Sequence, residues 1–301
     1  MATGTRGDVV LDIRGLRTHF FTDDSVIRAV DGADLAVRRG GTLCVVGESG
    51  CGKSAMARSV LQLVEPPGRV VGGRILLYPP RGADEPVDLA SLHPTGRRIR
   101  SIRGREVAMV FQEPMSSLSL VHTVGDQIGE SLRVHHGMSR RNARERAVEL
   151  LDRVRVPGSA RVVDSYPFQL SGGMRQRVMI AMALACAPRV LIADEPTTAL
   201  DVTTQAQILD LFDDLRRDTG MGVLFITHDM GVVAEIADEV AVMYLGTVVE
   251  QGPVDEIFHD PRHPYTRALL EAVPRIGVPR SRRLPTIRGA VPAPGTQPTG
   301  C

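Results

Sequence analysis

The sequence predicts an α/β fold whose core is a parallel sheet covered by helices on both faces. In the second half of the chain, mostly apolar runs at 189–196, 222–229 and 239–246 alternate with segments of helical spacing at 203–219 and 231–238. Continuous apolar strands that alternate with helices are typical of parallel sheets buried on both faces.

The first half of the chain adds strands and one helix to this core. The runs at 9–16 and 33–40 alternate apolar and polar residues, whereas 42–47 is continuously apolar and is expected to be a buried central strand. A helix is expected from Lys53 to about Leu63, because two prolines follow soon after.

The middle of the chain, about 113–187, is expected to be mainly helical and inserted into the core after a strand at 106–112. Within it, 139–156 carries apolar residues at helical spacing. From about Pro261 onward proline, glycine and arginine are frequent and periodicity fades, which predicts a tail that is wrapped on the surface or poorly ordered. The predicted division is therefore a main domain to residue 260 and a tail at 261–301.

The composition narrows the function classes. The chain has 301 residues, 43% of them hydrophobic, and 36 Lys+Arg against 35 Asp+Glu, so its charge does not predict a nucleic-acid partner. The cysteines lack CxxC spacing, which indicates a reducing setting, and Cys44 and Cys186 are expected to be buried. We find neither a signal-peptide core nor an apolar run of spanning length, and expect that the chain does not cross a membrane by itself.

A phosphate loop is predicted at 47–54, where GESGCGKS matches GxxxxGK[ST] between an apolar strand and a helix. Its glycines allow backbone N–H groups to face phosphates, Lys53 neutralises the β and γ oxygens, and Ser54 offers a hydroxyl to Mg²⁺. Cys51, beside a helix N-terminus, is expected to have a lowered thiol pKa, to react readily with thiol reagents and to be protected by ATP. The predicted nucleotide-binding residues of the loop are Gly47, Ser49, Gly50, Cys51, Gly52, Lys53 and Ser54.

Polar side chains end three of the predicted strands. Asp194 is expected to support Mg²⁺ through a water, and Glu195 to accept a proton from an attacking water. Gln112 and His228 also stand at the strand edge where open parallel sheets bind ligands. Gln112 would sense the metal and the water, and His228 would hydrogen-bond a γ-phosphate oxygen. The alternatives are a helix-capping Asp-Glu pair and an ordinary loop histidine.

A second turn, LSGGMRQR at 170–177, also has the features of a phosphate site but contains no lysine. Ser171, Gly172 and Gly173 precede a helical run, so N–H groups and a helix dipole would face an anion. An ordinary serine-capped helix is the alternative description of this turn.

In order along the chain, GESGCGKS, Gln112, LSGGMRQR, LIADEP, TTALD and His228 resemble the motifs of the ATP-binding subunit of an ABC transporter. The resemblance covers nearly the whole chain. It implies a P-loop NTPase parallel-sheet core with an antiparallel β subdomain and an inserted helical subdomain. The implied cofactors are ATP and Mg²⁺, with Ser54, Gln112 and Asp194 at the metal.

The resemblance also accounts for the second turn. In this family two subunits stack head to tail, so Ser171, Gly172 and Gly173 of one subunit would complete the ATP site of the other. It further implies that Asp201 reaches across the dimer interface. An aromatic residue stacks on adenine in the family, and Phe20 is the candidate by spacing, with Phe21 and plain core packing as alternatives.

Longer stretches, above all YPFQLSGGMRQRVMIAMALA and HPYTRALL, resemble the dipeptide/oligopeptide (peptide/nickel) permease branch. This implies ATP-driven import at the cytoplasmic face of the cell membrane, with peptide favoured over nickel, sugars or glutathione-like solutes, and over a soluble non-transport ATPase. The implied partners are a second ATPase subunit, paralogous or identical, two membrane permeases that contact the chain near Gln112 to Leu120, and an extracytoplasmic solute-binding protein. Relatives often continue with further cysteines, and the single Cys301 predicts no metal site here.

Overall fold

The computed structural model describes residues 8–80, 85–113, 117–198 and 200–273. These residues fall into two compact units. The second unit comprises 38–41 and the described part of 92–225, and the first unit comprises the remainder. Cys301 and most of the predicted tail lie outside the described residues, and the division at residue 260 stays a prediction.

An antiparallel sheet occupies part of the first unit. Its strand order is β2-β1-β4-β5, and Ile13 of β1 stands opposite Ile75 of β4. Both isoleucines are almost completely buried, so the alternation predicted for the first strand has an apolar inner face. The strands are β1 (Val9–Phe21), β2 (Val26–Arg38), β4 (Gly68–Leu77) and β5 (Val87–Asp88).

The first unit contains three further strands, and the phosphate loop directly follows one of them. They are β3 (Thr42–Val46), β9 (Glu239–Tyr244) and β10 (Thr247–Pro253), in the order β10-β9-β3. β3 runs parallel to β9, and β9 is antiparallel to β10. Every residue of β3 is buried, Cys44 included, which confirms the prediction of a buried strand here.

The described helices of the first unit include two, at 254–259 and 264–271, that the sequence did not predict. The helices of this unit are α1 (Lys53–Val60), α8 (Met230–Ile236), α9 (Val254–His259) and α10 (Pro264–Glu271). α1 begins at the predicted residue, whereas α10 lies where the sequence predicts fading periodicity. The signal was local: His263 caps the helix, and Pro264 occupies its first position, where its missing N–H costs nothing.

The second unit contains three strands in the order β8-β7-β6, of which β7 and β6 run parallel. Its strands are β6 (Val107–Val110), β7 (Val190–Asp194) and β8 (Gly222–Ile226). Met109 of β6 stands opposite Ile192 of β7, and every residue of the three strands is buried. Continuous burial is what a parallel sheet covered on both faces requires, as predicted.

Helices make up much of the rest of the second unit. They are α2 (Arg97–Ile102), α3 (Val124–His136), α4 (Arg140–Arg153), α5 (Ser159–Val162), α6 (Gly172–Leu184) and α7 (Val202–Thr219). The residues before α3, α4, α6 and α7 are Thr123, Ser139, Ser171 and Asp201, and each accepts a hydrogen bond from a first-turn N–H. Among the described residues of both units, no helix has the length and apolarity to span a bilayer.

Candidate nucleotide-binding site

The phosphate loop joins the buried end of β3 to the first residue of α1. Gly47 and Gly52 have φ angles of 153° and 105°. A Cβ atom at Gly47 would lie 2.1 Å from the carbonyl oxygen of Met243, and one at Gly52 would lie 1.9 Å from that of Ala29. Both positions therefore require glycine for space as well as for conformation. Ser49 and Gly50, at the tip of the loop, are exposed.

Lys53 is enclosed by this loop. Its ammonium Nζ donates hydrogen bonds to the carbonyl oxygens of Gly47 and Glu48, each at 2.8 Å, and the residue is only 4% exposed. A buried charge is costly unless it is hydrogen-bonded, and the two carbonyls supply that compensation. The loop is thus built around a positive charge, next to the half-buried Ser54, which fits an anionic phosphate ligand.

The expected lowered pKa of Cys51 is wrong. The residue is 5% exposed, and burial raises the pKa of its thiol. Lys53, with Nζ 3.8 Å from Sγ, acts in the opposite direction but does not overcome burial. A buried thiol with a raised pKa reacts slowly with thiol reagents even without ATP, so we no longer expect Cys51 to be labelled readily.

In the second unit, β7 delivers the two predicted carboxylates. Asp194 is the last residue of the strand and is 2% exposed. Glu195 follows with a φ of 47°, a left-handed conformation that is strained for a residue with a side chain. Strain of this kind persists only where the surrounding structure enforces it, and it is concentrated at functional sites.

The structure brings Gln112 and Glu195 together. Nε2 of Gln112 donates to Oε2 of Glu195 at 3.1 Å, and Oγ1 of Thr198 donates to the same oxygen at 3.0 Å. The sequence reasoning missed Thr198. Its position three residues after Glu195 was the available signal, because a turn brings residues i and i+3 close together.

The second turn forms the start of α6. The Oγ of Ser171 accepts a hydrogen bond from the N–H of Met174 at 3.4 Å, so the serine-capped helix is an accurate local description. Ser171 and Gly172 are exposed, and a Cβ atom at Gly172 would meet nothing within 4 Å. Gly173 packs closely, since its Cβ would lie 3.0 Å from Cγ2 of Thr204.

Asp201 and His228 occupy exposed positions at the ends of elements. The Asp201 carboxylate accepts hydrogen bonds from Oγ1 and the N–H of Thr204, at 2.7 and 2.9 Å, and these bonds hold its pKa below the usual range. In this chain Asp201 caps α7. His228 lies in the short connection between β8 and α8.

Both aromatic candidates near the end of β1 are half-buried against the protein's own residues. The ring of Phe20 covers Gly68, whose Cβ would lie 2.5 Å from it. The ring of Phe21 carries the guanidinium of Arg69 at 4.3 Å from its centroid. Each ring thus has a packing role, and the choice of an adenine partner stays open.

Two family models match the chain. The model described as ABC transporter matches residues 30–198, and that described as Oligopeptide/dipeptide transporter, C-terminal region, matches residues 249–301. A Brucella melitensis protein named as a peptide import ATP-binding protein is 54% identical over 298 residues, which cover 97% of this chain and 87% of that protein. The Escherichia coli glutathione import ATP-binding protein GsiA is 51% identical over 294 residues, which cover 96% of this chain and 46% of that protein.

Solved structures of ABC cassettes have the same fold. The ATP-binding cassette MJ0796, solved as a dimer in a post-hydrolysis state with ADP and Pi, has a TM-score of 0.70 at 26% identity and covers 81% of this chain and 98% of its own. Clostridium perfringens cbiO1, part of the ABC transporter complex cbiONQ, has a TM-score of 0.67 at 26% identity and covers 84% and 92%. The chain therefore belongs to the ATP-hydrolysing, ATP-binding subunits of the ABC transporter family.

Proposed function

We propose that this chain binds ATP with Mg²⁺ and hydrolyses it to power the import of di- and oligopeptides. The observation that carries the proposal is the phosphate loop closed around the buried ammonium of Lys53. A loop with that charge and with backbone N–H groups at a helix N-terminus suits the β- and γ-phosphates of a nucleotide.

The oxygen-bearing side chains at the loop and the strand ends suit a hard divalent cation. Ser54, Asp194 and Gln112 would hold Mg²⁺, partly through water, and the ion would neutralise charge on the phosphate oxygens when bound. Asp194 at the buried end of β7 supports this assignment, because the strand fixes its carboxylate.

Glu195 is the proposed general base. Its carboxylate takes a proton from a water while the water oxygen bonds to the γ-phosphorus, the β–γ bridging P–O bond breaks, and ADP leaves with the bonding pair. The hydrogen bond from Gln112 supports this role, since it orients the carboxylate. His228 would hydrogen-bond a γ-phosphate oxygen, and Phe20 would stack on the adenine.

The second turn is proposed to act on a partner's nucleotide. Ser171, Gly172 and Gly173 of one subunit, together with Asp201, would complete the ATP site of a second ATPase subunit, which we expect to be a paralogue rather than another copy. The exposure of Ser171 and Gly172 supports the proposal. MJ0796, solved as a dimer, is a precedent for the assembly.

Two membrane permeases and an extracytoplasmic solute-binding protein are the other proposed partners, with the chain on the cytoplasmic face of the membrane. The proposed domain scheme is an ATPase domain at 1–260, with a helical insertion at about 113–187, and a C-terminal segment at 261–301.

Peptide is favoured as the transported solute by the name of the Brucella melitensis relative, and glutathione, itself a tripeptide, is the second candidate because of the name of GsiA. Nickel or another small solute is the remaining alternative.

Growth of a deletion strain tests the function. The gene is deleted in an auxotrophic host, and the required amino acid is supplied as di- or oligopeptides, or as glutathione in place of cysteine. We expect growth on peptides to be lost and to return with the wild type but not with Lys53→Ala. Loss of growth on glutathione alone would select the second candidate, and unchanged growth on both would overturn the proposal.

A further inference from the structure

A side chain from the C-terminal segment contacts the backbone of the phosphate loop. The hydroxyl of Tyr265, the second residue of α10, accepts a hydrogen bond from the backbone N–H of Glu48 at 3.1 Å. The two residues are 217 positions apart in the chain, and both belong to the first unit. Tyr265 lies in the HPYTRALL segment, within the range matched by the oligopeptide/dipeptide C-terminal region.

Tyr265 is held firmly on this loop. Its ring lies against that of Tyr244 of β9, with centroids 4.4 Å apart, and the residue is 7% exposed. Burial raises the pKa of its hydroxyl, so the hydroxyl is neutral at physiological pH and can accept from an N–H. Such a ring has few orientations open to it, so the position of its hydroxyl is determined by the core around it.

The chain before Tyr265 is anchored to the adjacent strand. The carboxylate of Glu250 in β10 accepts hydrogen bonds from the backbone N–H groups of Arg262 and His263, at 2.6 and 3.1 Å. The ring Nδ1 of His263 in turn accepts from the N–H of Tyr265 at 3.2 Å. The segment is therefore tied to β10 as well as to the phosphate loop.

The hydrogen bond from Glu48 to Tyr265 involves a residue that also binds Lys53. The carbonyl oxygen of Glu48 accepts from Nζ of Lys53 at 2.8 Å and from the N–H of Cys51 at 3.3 Å. With its N–H bonded to Tyr265 and its carbonyl bonded to Lys53, Glu48 is fixed from both sides. Loss of the Tyr265 hydroxyl would leave this N–H without its acceptor and release one of the two restraints.

We propose that Tyr265 is a positioning residue for nucleotide binding, and that the HPYTRALL segment holds the phosphate loop in the conformation that accepts the phosphates of a nucleoside triphosphate. The inference rests on the proposed nucleotide site at that loop. The proposal gives the C-terminal segment a function in nucleotide binding, although none of the motifs of the nucleotide site lies in this segment.

Tyr265→Phe tests the proposal, because it keeps the ring against Tyr244 and removes only the acceptor for Glu48. We expect the Kd for a fluorescent ATP analogue, and the KM for ATP, to rise roughly 3- to 10-fold, with a smaller change in kcat. Tyr244→Phe is the matched control: it removes a hydroxyl from the same ring pair, leaves the Glu48 contact in place, and should bind ATP like the wild type.

The outcomes separate this inference from the proposed function. A wild-type protein that binds no ATP contradicts the proposed function, whereas equal binding by the wild type and Tyr265→Phe overturns only the inference. A lower melting temperature with an unchanged Kd also overturns it, since the role would then be structural alone.

Hydrogen exchange of the wild type gives an independent test should Tyr265→Phe fail to fold. If the segment stabilises the binding-competent loop, then ATP must stabilise the segment in return, because the coupling is reciprocal. We expect exchange at 262–266 to slow when ATP is added. Exchange there that ATP leaves unchanged would overturn the proposal.

Discussion

The amide of Gln112 donates a hydrogen bond of 3.1 Å to the carboxylate of Glu195, across the ends of two neighbouring strands. Gln112 follows β6 by two residues and Glu195 directly follows β7. Because the two strands are parallel, their carboxyl ends meet at one edge, and the pairing follows from the register. The left-handed backbone at Glu195 completes the placement of a carboxylate that two donors orient.

Thr198→Val should slow ATP hydrolysis, because it removes one of the two donors to Oε2 of Glu195 and keeps the shape of the side chain. We expect kcat to fall by about 3- to 10-fold with little change in the KM for ATP. Steady-state phosphate release measures both constants. Thr203→Val, an exposed threonine of α7, is the control and should retain wild-type values.

Ser171→Arg should separate the chain's own nucleotide site from the site that it completes in the partner. Nucleotide binding at the chain's own phosphate loop should be nearly intact, whereas hydrolysis at the partner's loop should be blocked by the bulky cation. A mixed dimer that carries the change on this chain alone distinguishes the two sites. Loss of hydrolysis at this chain's own loop instead would contradict the head-to-tail arrangement.

Glu250→Gln should change how stability depends on pH. Partial burial alone would raise the pKa of Glu250, but the hydrogen bonds that it accepts, among them those from Arg262 and His263, outweigh burial and lower it. A folded-state pKa below the unfolded value of about 4.3 contributes stability above that pH, which is lost as the pH falls through the folded value.

Urea unfolding of the wild type and Glu250→Gln at pH 7 and at acidic pH measures this contribution. We expect the wild type to be the more stable at pH 7, and the difference to narrow as the pH falls below about 4. A difference that is as large in acid as at pH 7 would show that the charge of Glu250 is not what anchors the segment.

The sequence predicts those parts of the fold and site that short segments determine. The phosphate loop, the buried strand before it and the start of α1 at Lys53 are encoded by neighbouring residues, as are the polar strand ends at Gln112 and Asp194. Once the apolar strands are known to pack in parallel, the proximity of Gln112 and Glu195 follows from their positions at the strand ends.

Long-range packing explains what the sequence could not predict. The pKa of Cys51 depends on how deeply the loop is buried, which a helix N-terminus alone does not reveal. The contact of Tyr265 with Glu48 joins distant segments, and no periodicity at either residue indicates it. The rings of Phe20 and Phe21 are covered by Gly68 and Arg69 of β4, again a tertiary effect.

Phosphate release by Glu195→Gln tests directly whether this chain hydrolyses ATP with Glu195 as the base. Glutamine keeps the size of the side chain and removes the proton acceptor. In a dimer whose other site is inactive, we expect ATP to bind as in the wild type and hydrolysis to fall by roughly 10²- to 10⁴-fold. Turnover at the wild-type rate in that dimer would show that Glu195 is not the base and leave it as a carboxylate that only caps the following turn.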